Sequence, residues 1–402
     1  MKINLFGLTL LLASSASGYT LHEWGTFTSV SGSDGVLLSG LKREEERLPS
    51  FVHALDGMEN VGPMLTYSKG YFPRRPLRNV TIKMETPVIY FYSDKAFHAE
   101  VNVGFEGGSI SQWYPQRAGG ETPPALNLQV KAPSNPDDYF IKAGGIDFAD
   151  HKRGEISWDV EVMAPGAPRS LSFKQNETMN WIRPRNSDAN ILKIGEEYED
   201  YLFYRGVGNF DLPVTFTVDE NETLKIANTS SEKVPFLFVQ EVTPDQKVRY
   251  FSMSEGLTAG SQSEIREEDF VETERWQKAV YQEMANGLSE TGLNEKEVNS
   301  MLQTWWHSYF EKPGLRVFWI VPNDETERIL PLQVSPAPEK QVRVLVGRSE
   351  VLRPRFEKNL ITLSQQKTPE DKGKWAMTQY DRYGLAYAER VQKLTTKKTS
   401  NP

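Results

Sequence analysis

A histidine beside a carboxylate can orient a metal-bound imidazole or tune a general base. This chain carries that pair as His22-Glu23, in the string His22-Glu23-Trp24-Gly25. His22 is a candidate metal ligand, and both residues are candidate catalytic groups. Neighbours in a strand point to opposite faces, however, so one site cannot easily use both. The plainer alternative is a first strand with His22 or Glu23 paired locally and Trp24 in the core. A copper site on the terminal amine of a leading histidine would need cleavage directly before His22, and Thr20-Leu21 is a poor cleavage pair.

The run 80–92 (VTIKMETPVIYFY) supplies a second candidate, Glu85. Val80, Ile82, Met84, Val88, Tyr90 and Tyr92 are expected on one face of a strand, with Glu85 and Pro87 on the other. A proline removes a ladder donor and marks an edge, a bulge or a break. A bulge would re-aim Glu85 toward a cleft; the ordinary alternative is a surface pairing with Lys or Arg. The third candidate is Arg205, in Tyr204-Arg205-Gly206-Val207-Gly208, whose guanidinium could clamp a carboxylate or phosphate. No strand–loop–helix context makes this Gly-x-Gly a dinucleotide loop. A structural tie to Glu196, Glu197 or Glu199 is the competing role.

Trp113-Tyr114 and Trp305-Trp306 could stack on sugars, although core packing accounts for Trp305. Asp137-Asp138 could offer oxygen ligands to calcium, without the spacing of a binding loop. The chain has no H-E-x-x-H, G-x-S-x-G, Walker or EF-hand motif, and no motif indicates a cofactor. Its five histidines, His22, His53, His98, His151 and His307, are scattered singly.

The elements that must position these residues are mostly strands. Phe97, Ala99, Val101, Val103 and Phe105 alternate with His98, Glu100, Asn102 and Gly104, the period of a half-buried strand. Ile156, Trp158, Val160 and Val162 repeat the pattern, as do Val214, Phe216 and Val218. The stretch 234–239 is apolar on both faces and reads as a central strand. Without crossover helices between them, such strands imply antiparallel sheets packed as sandwiches. In the last third, Trp276, Val280, Met284 and Leu288 fall at helical spacing. Asn294 with Glu297 then forms a capping box that opens a second helix through Tyr309. Strand-like segments at 315–321, 329–334 and 341–346 follow, with helices near 354–363 and 375–394. The stretch 256–263 reads as a linker. The expected fold is mainly β with a C-terminal α+β region and antiparallel β-sandwich-like sheets. It divides into a β-sandwich-like region at 19–262, with room for two subdomains, and an α+β region at 263–402.

Residues 1–18 order a charge (Lys2), an apolar core (5–13) and small residues (14–18), as a secretory signal peptide does. The core is far short of the ~20 residues that span a bilayer, and no later run approaches that length. The absence of cysteine excludes thiol nucleophiles, thiolate metal centres and disulfides. Losing Lys2 with the leader takes the net charge from −8 to −9, an acidic balance that argues against nucleic-acid partners. A periplasmic or extracellular location is expected.

The strings LHEWGTFTSV, METPVIYFY, FYRGVGNF and RVLVGR resemble a family of uncharacterised exported bacterial proteins whose mature chains begin with H-E-W-G-T-F. The resemblance implies a bacterial extracytoplasmic home and marks His22, Glu23, Glu85, Thr86 and Arg205; it carries no catalytic role. Two functions remain open. The first is a β-rich binding or cell-envelope-associated protein engaging a glycan or envelope component. It would use Trp113 and Tyr114 on a shallow aromatic surface and hold no buried titratable cluster. The alternative is a secreted, metal-assisted hydrolase that joins His22 or Glu23 to Glu85 and Arg205 in one concave pocket.

Overall fold

The computed structural model describes residues 18–44, 48–56, 69–71, 75–130, 135–168, 171, 179–368, 376 and 379–399. The expected leader, apart from Gly18, lies outside the described residues, as does the start of the helix expected at 375. Strand outweighs helix, 36% to 24%, and the sheets are dominated by antiparallel pairs, in line with the β-rich expectation. Among the described residues no helix is long and apolar enough to cross a membrane.

In chain order the main elements of the first two-thirds are β1 (Thr20–Ser31), β2 (Ile82–Met84), β3 (Val88–Tyr92), β4 (Phe97–Glu106), β5 (Gly108–Tyr114), α1 (Pro136–Lys142) and β6 (Arg153–Val162). Then come β7 (Leu202–Gly208), β8 (Val214–Val218), β9 (Leu224–Asn228), β10 (Leu237–Val242), β11 (Val248–Met253) and β12 (Gln262–Ile265). The last third adds α2 (Trp276–Ser289), α3 (Glu295–Phe310), β13 (Gly314–Ile320), α4 (Asn323–Ile329), β14 (Leu332–Ser335), β15 (Lys340–Val351), α5 (Pro354–Gln365) and α6 (Gly384–Thr399).

The large sheet runs β11-β10-β13-β15-β1-β2-β7-β5, with β3 continuing β2 beside β1 and β7. A second sheet is built around β6-β4-β14, and β8-β9-β12 form a third. At the centre of the large sheet β1 and β15 are parallel, paired from Thr20↔Lys340 to Ser31↔Val351. Leu21 and Phe27 of β1 join a core shared with Val101, Val103, Ile156 and Trp158 of the second sheet. Trp24 joins a different core with Val280 and Met284 of α2 and Val298 and Met301 of α3. The molecule therefore layers helices, large sheet and second sheet. Each apolar side chain so enclosed contributes roughly 1.5–3 kcal/mol. The capping box of α3 is present: Asn294 Oδ1 accepts from the Glu297 N–H at 3.0 Å, and Glu297 Oε2 accepts from the Asn294 N–H at 2.9 Å.

Three expectations change. The stretch 256–263 is not a linker: Val234 and Leu257 exchange backbone hydrogen bonds of 2.9 Å, and β12 pairs with β9. The expected division at 262/263 does not separate two sheets, because β15 and β13 sit between β1 and β10. Third, the alternating residues of 80–92 do not share one face. Phe27 opposes Met84, but Trp24 opposes Val88, so Gly25 and Thr26 stand opposite three residues, Glu85, Thr86 and Pro87. This is a β-bulge, and one extra residue reverses the parity of everything beyond it. Ile82, Met84, Ile89 and Phe91 therefore meet the second sheet, while Val88 and Tyr90 meet the helices. Gly25 makes room for the bulge, since a Cβ there would lie 2.8 Å from Pro87 Cα.

Because β1 finds its central partner only in β15, a chain ending at 262 should not fold. Urea titration of residues 19–262 followed by circular dichroism should show no cooperative transition; a sigmoidal one would contradict this topology.

Candidate functional site

Glu85 follows Lys83 by two residues, so both point to the helix-covered face, and the parity reverses only after it. Glu85 Oε2 accepts from Lys69 Nζ at 2.8 Å, and Glu85 Oε1 lies 3.2 Å from Lys83 Nζ. Glu44 lies 3.4 Å from Lys69 and 2.9 Å from Arg205 Nη2. Arg205 donates from Nε to Gln112 Oε1 at 2.8 Å, and its guanidinium stands 5.3 Å from the Trp181 ring centroid. A second bulge helps to place Arg205: it opposes Gln112, whereas Gly206 opposes Ile110, so Ser111 is the extra residue. All five ionisable side chains are buried.

The charges do not balance. Lys69, Lys83 and Arg205 face only Glu44 and Glu85, one cation too many among the described residues. Lys83 Nζ, Arg205 Nη1 and Thr86 Oγ1 are enclosed and have no hydrogen-bond partner. Glu44 Oε1 and Glu85 Oε1 also lack hydrogen bonds, though each lies within ion-pair distance of a cation. Burial pushes the Lys69 ammonium down to about 8, against the pull of Glu44 and Glu85. Burial would raise the Glu85 carboxyl, but Lys69 and Lys83 outweigh it and hold the group well below the usual carboxylate range.

The same face continues across the sheet. Lys83 is in register with Thr28 of β1, and Thr28 with Arg348 of β15. Tyr309 of α3 shares a 2.7 Å hydrogen bond with Thr26, and the Arg348 guanidinium lies 4.3 Å from its ring centroid. Among the described residues Arg348 and Arg316 share one carboxylate, Glu350, again one cation in surplus, and Arg348 Nε and Nη1 are enclosed without a hydrogen-bond partner.

The sequence candidates thus fall into separate places. Glu85 and Arg205 share one cluster. Arg205 pairs with Glu44 rather than with Glu196, Glu197 or Glu199; Glu199 is taken by Arg185 at 2.6 Å and Glu197 by His53 at 2.8 Å. His22 lies farther along the same face, its Nδ1 2.9 Å from Glu297 Oε2. Glu23 points to the opposite face, accepting from the Tyr204 hydroxyl and from Arg343 Nε, each at 2.6 Å. Trp113 and Tyr114 are 4% and 1% exposed, so neither can be the sugar platform expected of them. Asp137 opens the short helix α1 and pairs with Arg78 at 2.9 Å. Among the described residues no group of three or more His, Asp or Glu is arranged to hold a metal. Lys69, Lys83, Glu44 and Arg348 were missed; the signal available was a lone cation inside an apolar strand, as Lys83 is in Ile82-Lys83-Met84. No protein-family model matches this chain, and no curated protein matches it.

Lys69 makes a testable pH signature. Its proton is lost near pH 8 in the fold but only near 10.5 in the unfolded chain, so between these values the unfolded state binds more protons. Relative to a variant without the ammonium, the parent should therefore gain stability from pH 8 to pH 10, by about 1 kcal/mol per unit. Buried tyrosines such as Tyr71, Tyr90 and Tyr204, whose hydroxyls burial pushes well above 10, lower the stability of both proteins as pH nears 10. The window lies above the titration of Glu121, whose carboxyl burial pushes up to about 7. The urea midpoint of the parent should gain on that of Lys69→Met across the window; a difference that stays constant or shrinks would refute the assignment.

Proposed function

We propose that the chain is an exported binding protein for a small acid, whose carboxylate or phosphate group docks between Lys83 and Arg205. The observation that carries this reading is the surplus of buried cations over carboxylates among the described residues, with donors around it that make no hydrogen bond. An uncompensated buried charge costs several kcal/mol, and an acidic ligand would offset that cost while filling the free positions on Lys83, Arg205 and Thr86. A narrow cleft lined by Phe51, Thr86, Tyr114, Trp181, Tyr201 and Phe203 lies beside the cluster. Its free space is about 20 Å³, room for a water, so an acid with an apolar or aromatic body would enter by displacing these side chains. Export rests on the order of charge, apolar core and small residues in 1–18, and on the resemblance to exported bacterial proteins. The binding class read from the sequence expected a shallow aromatic surface and no buried titratable cluster. The buried group of Glu44, Lys69, Lys83, Glu85 and Arg205 departs from both, and the binding proposal rests on that group instead.

Thermal unfolding with phosphate, citrate or glucuronate, at matched ionic strength against chloride, tests the reading. An acid at 100 times its Kd should stabilise the protein by about 2.7 kcal/mol. Lys83→Met should abolish that response and leave the unliganded protein equally stable or up to about 4 kcal/mol more stable, because it removes the unmatched charge. No stabilisation by any acid, or marked destabilisation by Lys83→Met, would overturn it.

A further inference from the structure

A second polar cluster, independent of the acid site, lies where β1 and β3 meet the start of α3. Glu297 is fully buried, and its carboxylate accepts from His22 Nδ1 at 2.9 and 3.0 Å, from the Tyr92 hydroxyl at 2.9 Å and from the Asn294 backbone N–H at 2.9 Å. The Tyr92 hydroxyl in turn accepts from the Asn294 side-chain amide at 3.1 Å. An ionised carboxylate only accepts, so Nδ1 of His22 donates, and in the neutral ring Nε2 carries the lone pair. That nitrogen has no hydrogen-bond partner and is not sealed off from solvent. A carboxylate fixing one imidazole nitrogen while the other stays free is the arrangement of an oriented base.

An open cleft of about 600 Å³ begins beside this group, lined by Thr20, Tyr92, Ser93, Asp94, Ser187 and Asn190 among others. Tyr92 both walls the cleft and touches Glu297. His22 is not itself in the lining; its ring centroid stands 5.0 Å from that of Tyr92, which places the imidazole directly behind this wall. The described lining offers hydroxyls, amides and the carboxylates of Asp94 and Asp188, and the cation nearest to it, Lys296, is taken up by its ion pair with Asp188. Such a surface disfavours acids and suits an uncharged, hydroxyl-rich molecule.

We infer that His22 is the general base of a hydrolytic site in this cleft, acting on an ester carried by an uncharged, hydroxyl-rich molecule such as an acylated sugar. Nε2 takes a proton from a water as the water oxygen bonds to the acyl carbon. The bond from that carbon to the alcohol oxygen then breaks, and the imidazolium returns the proton to the departing alcohol. Ester and water give acid and alcohol, with no further reactant. Glu297 is a positioning residue, which holds the ring and stabilises its transient charge.

The test is hydrolysis of p-nitrophenyl acetate and glucose pentaacetate by the purified full chain. Saturable turnover above the buffer rate is expected, falling about 100-fold or more in His22→Gln. Should that variant fold poorly, diethyl pyrocarbonate on the parent protein gives the same information: carbethoxylation mapped to His22 should abolish turnover, and glucose pentaacetate should protect against it. Hydrolysis no faster than buffer, undiminished activity in a folded His22→Gln, or full activity after His22 is carbethoxylated would overturn the inference.

Discussion

The parallel seam between Thr20–Ser31 and Lys340–Val351 fixes where almost everything else in the molecule stands. Parallel strands cannot be joined by a tight turn, and here the chain between them builds the second sheet, helices α2 and α3 and the antiparallel neighbours on either side. β1 is buried along its length except at Thr20, and β15 from Val342 onward. A strand enclosed on both faces would ordinarily be apolar throughout. These two instead carry His22, Thr26, Thr28, Arg348 and Glu350 toward the helices, and Glu23 and Arg343 toward the second sheet.

Those inward polar groups set the energetics. Where partners match, as in Glu23 with Arg343 and Tyr204, attraction and hydrogen bonding offset desolvation. Where cations outnumber carboxylates among the described residues, around Lys83 and beside Arg348, the fold tolerates a loss it could avoid with a methionine or leucine. Proteins tend to keep such destabilising features at functional sites. The bulge at Glu85, Thr86 and Pro87 adds to this reading, because it interrupts the ladder right beside the carboxylate that Lys69 and Lys83 hold.

What could be read from the sequence was local. The strands at 97–106 and 153–162 announced themselves by alternation, and α3 by the reciprocal hydrogen bonds of Asn294 and Glu297. The opposed directions of His22 and Glu23 followed from strand geometry alone. What escaped was relational. The parity reversal after Met84 needs the count of residues on β1 opposite the bulge, which no single segment contains. Glu44 as the partner of Arg205, and Glu297 as the partner of His22, lie far away in the chain, whereas nearer acids such as Glu197 and Glu199 were taken by His53 and Arg185. The change from strand-rich to helix-bearing sequence near 262 suggested a boundary, but β13 and β15 carry the large sheet across it.

The most direct measurement is a crystal of the protein soaked in selenate, read by anomalous scattering at the selenium edge. The account predicts an anomalous peak within hydrogen-bonding distance of Lys83 Nζ and Arg205 Nη1, lost in Lys83→Met crystals. Peaks confined to exposed lysines, with water or nothing beside Lys83, would contradict it.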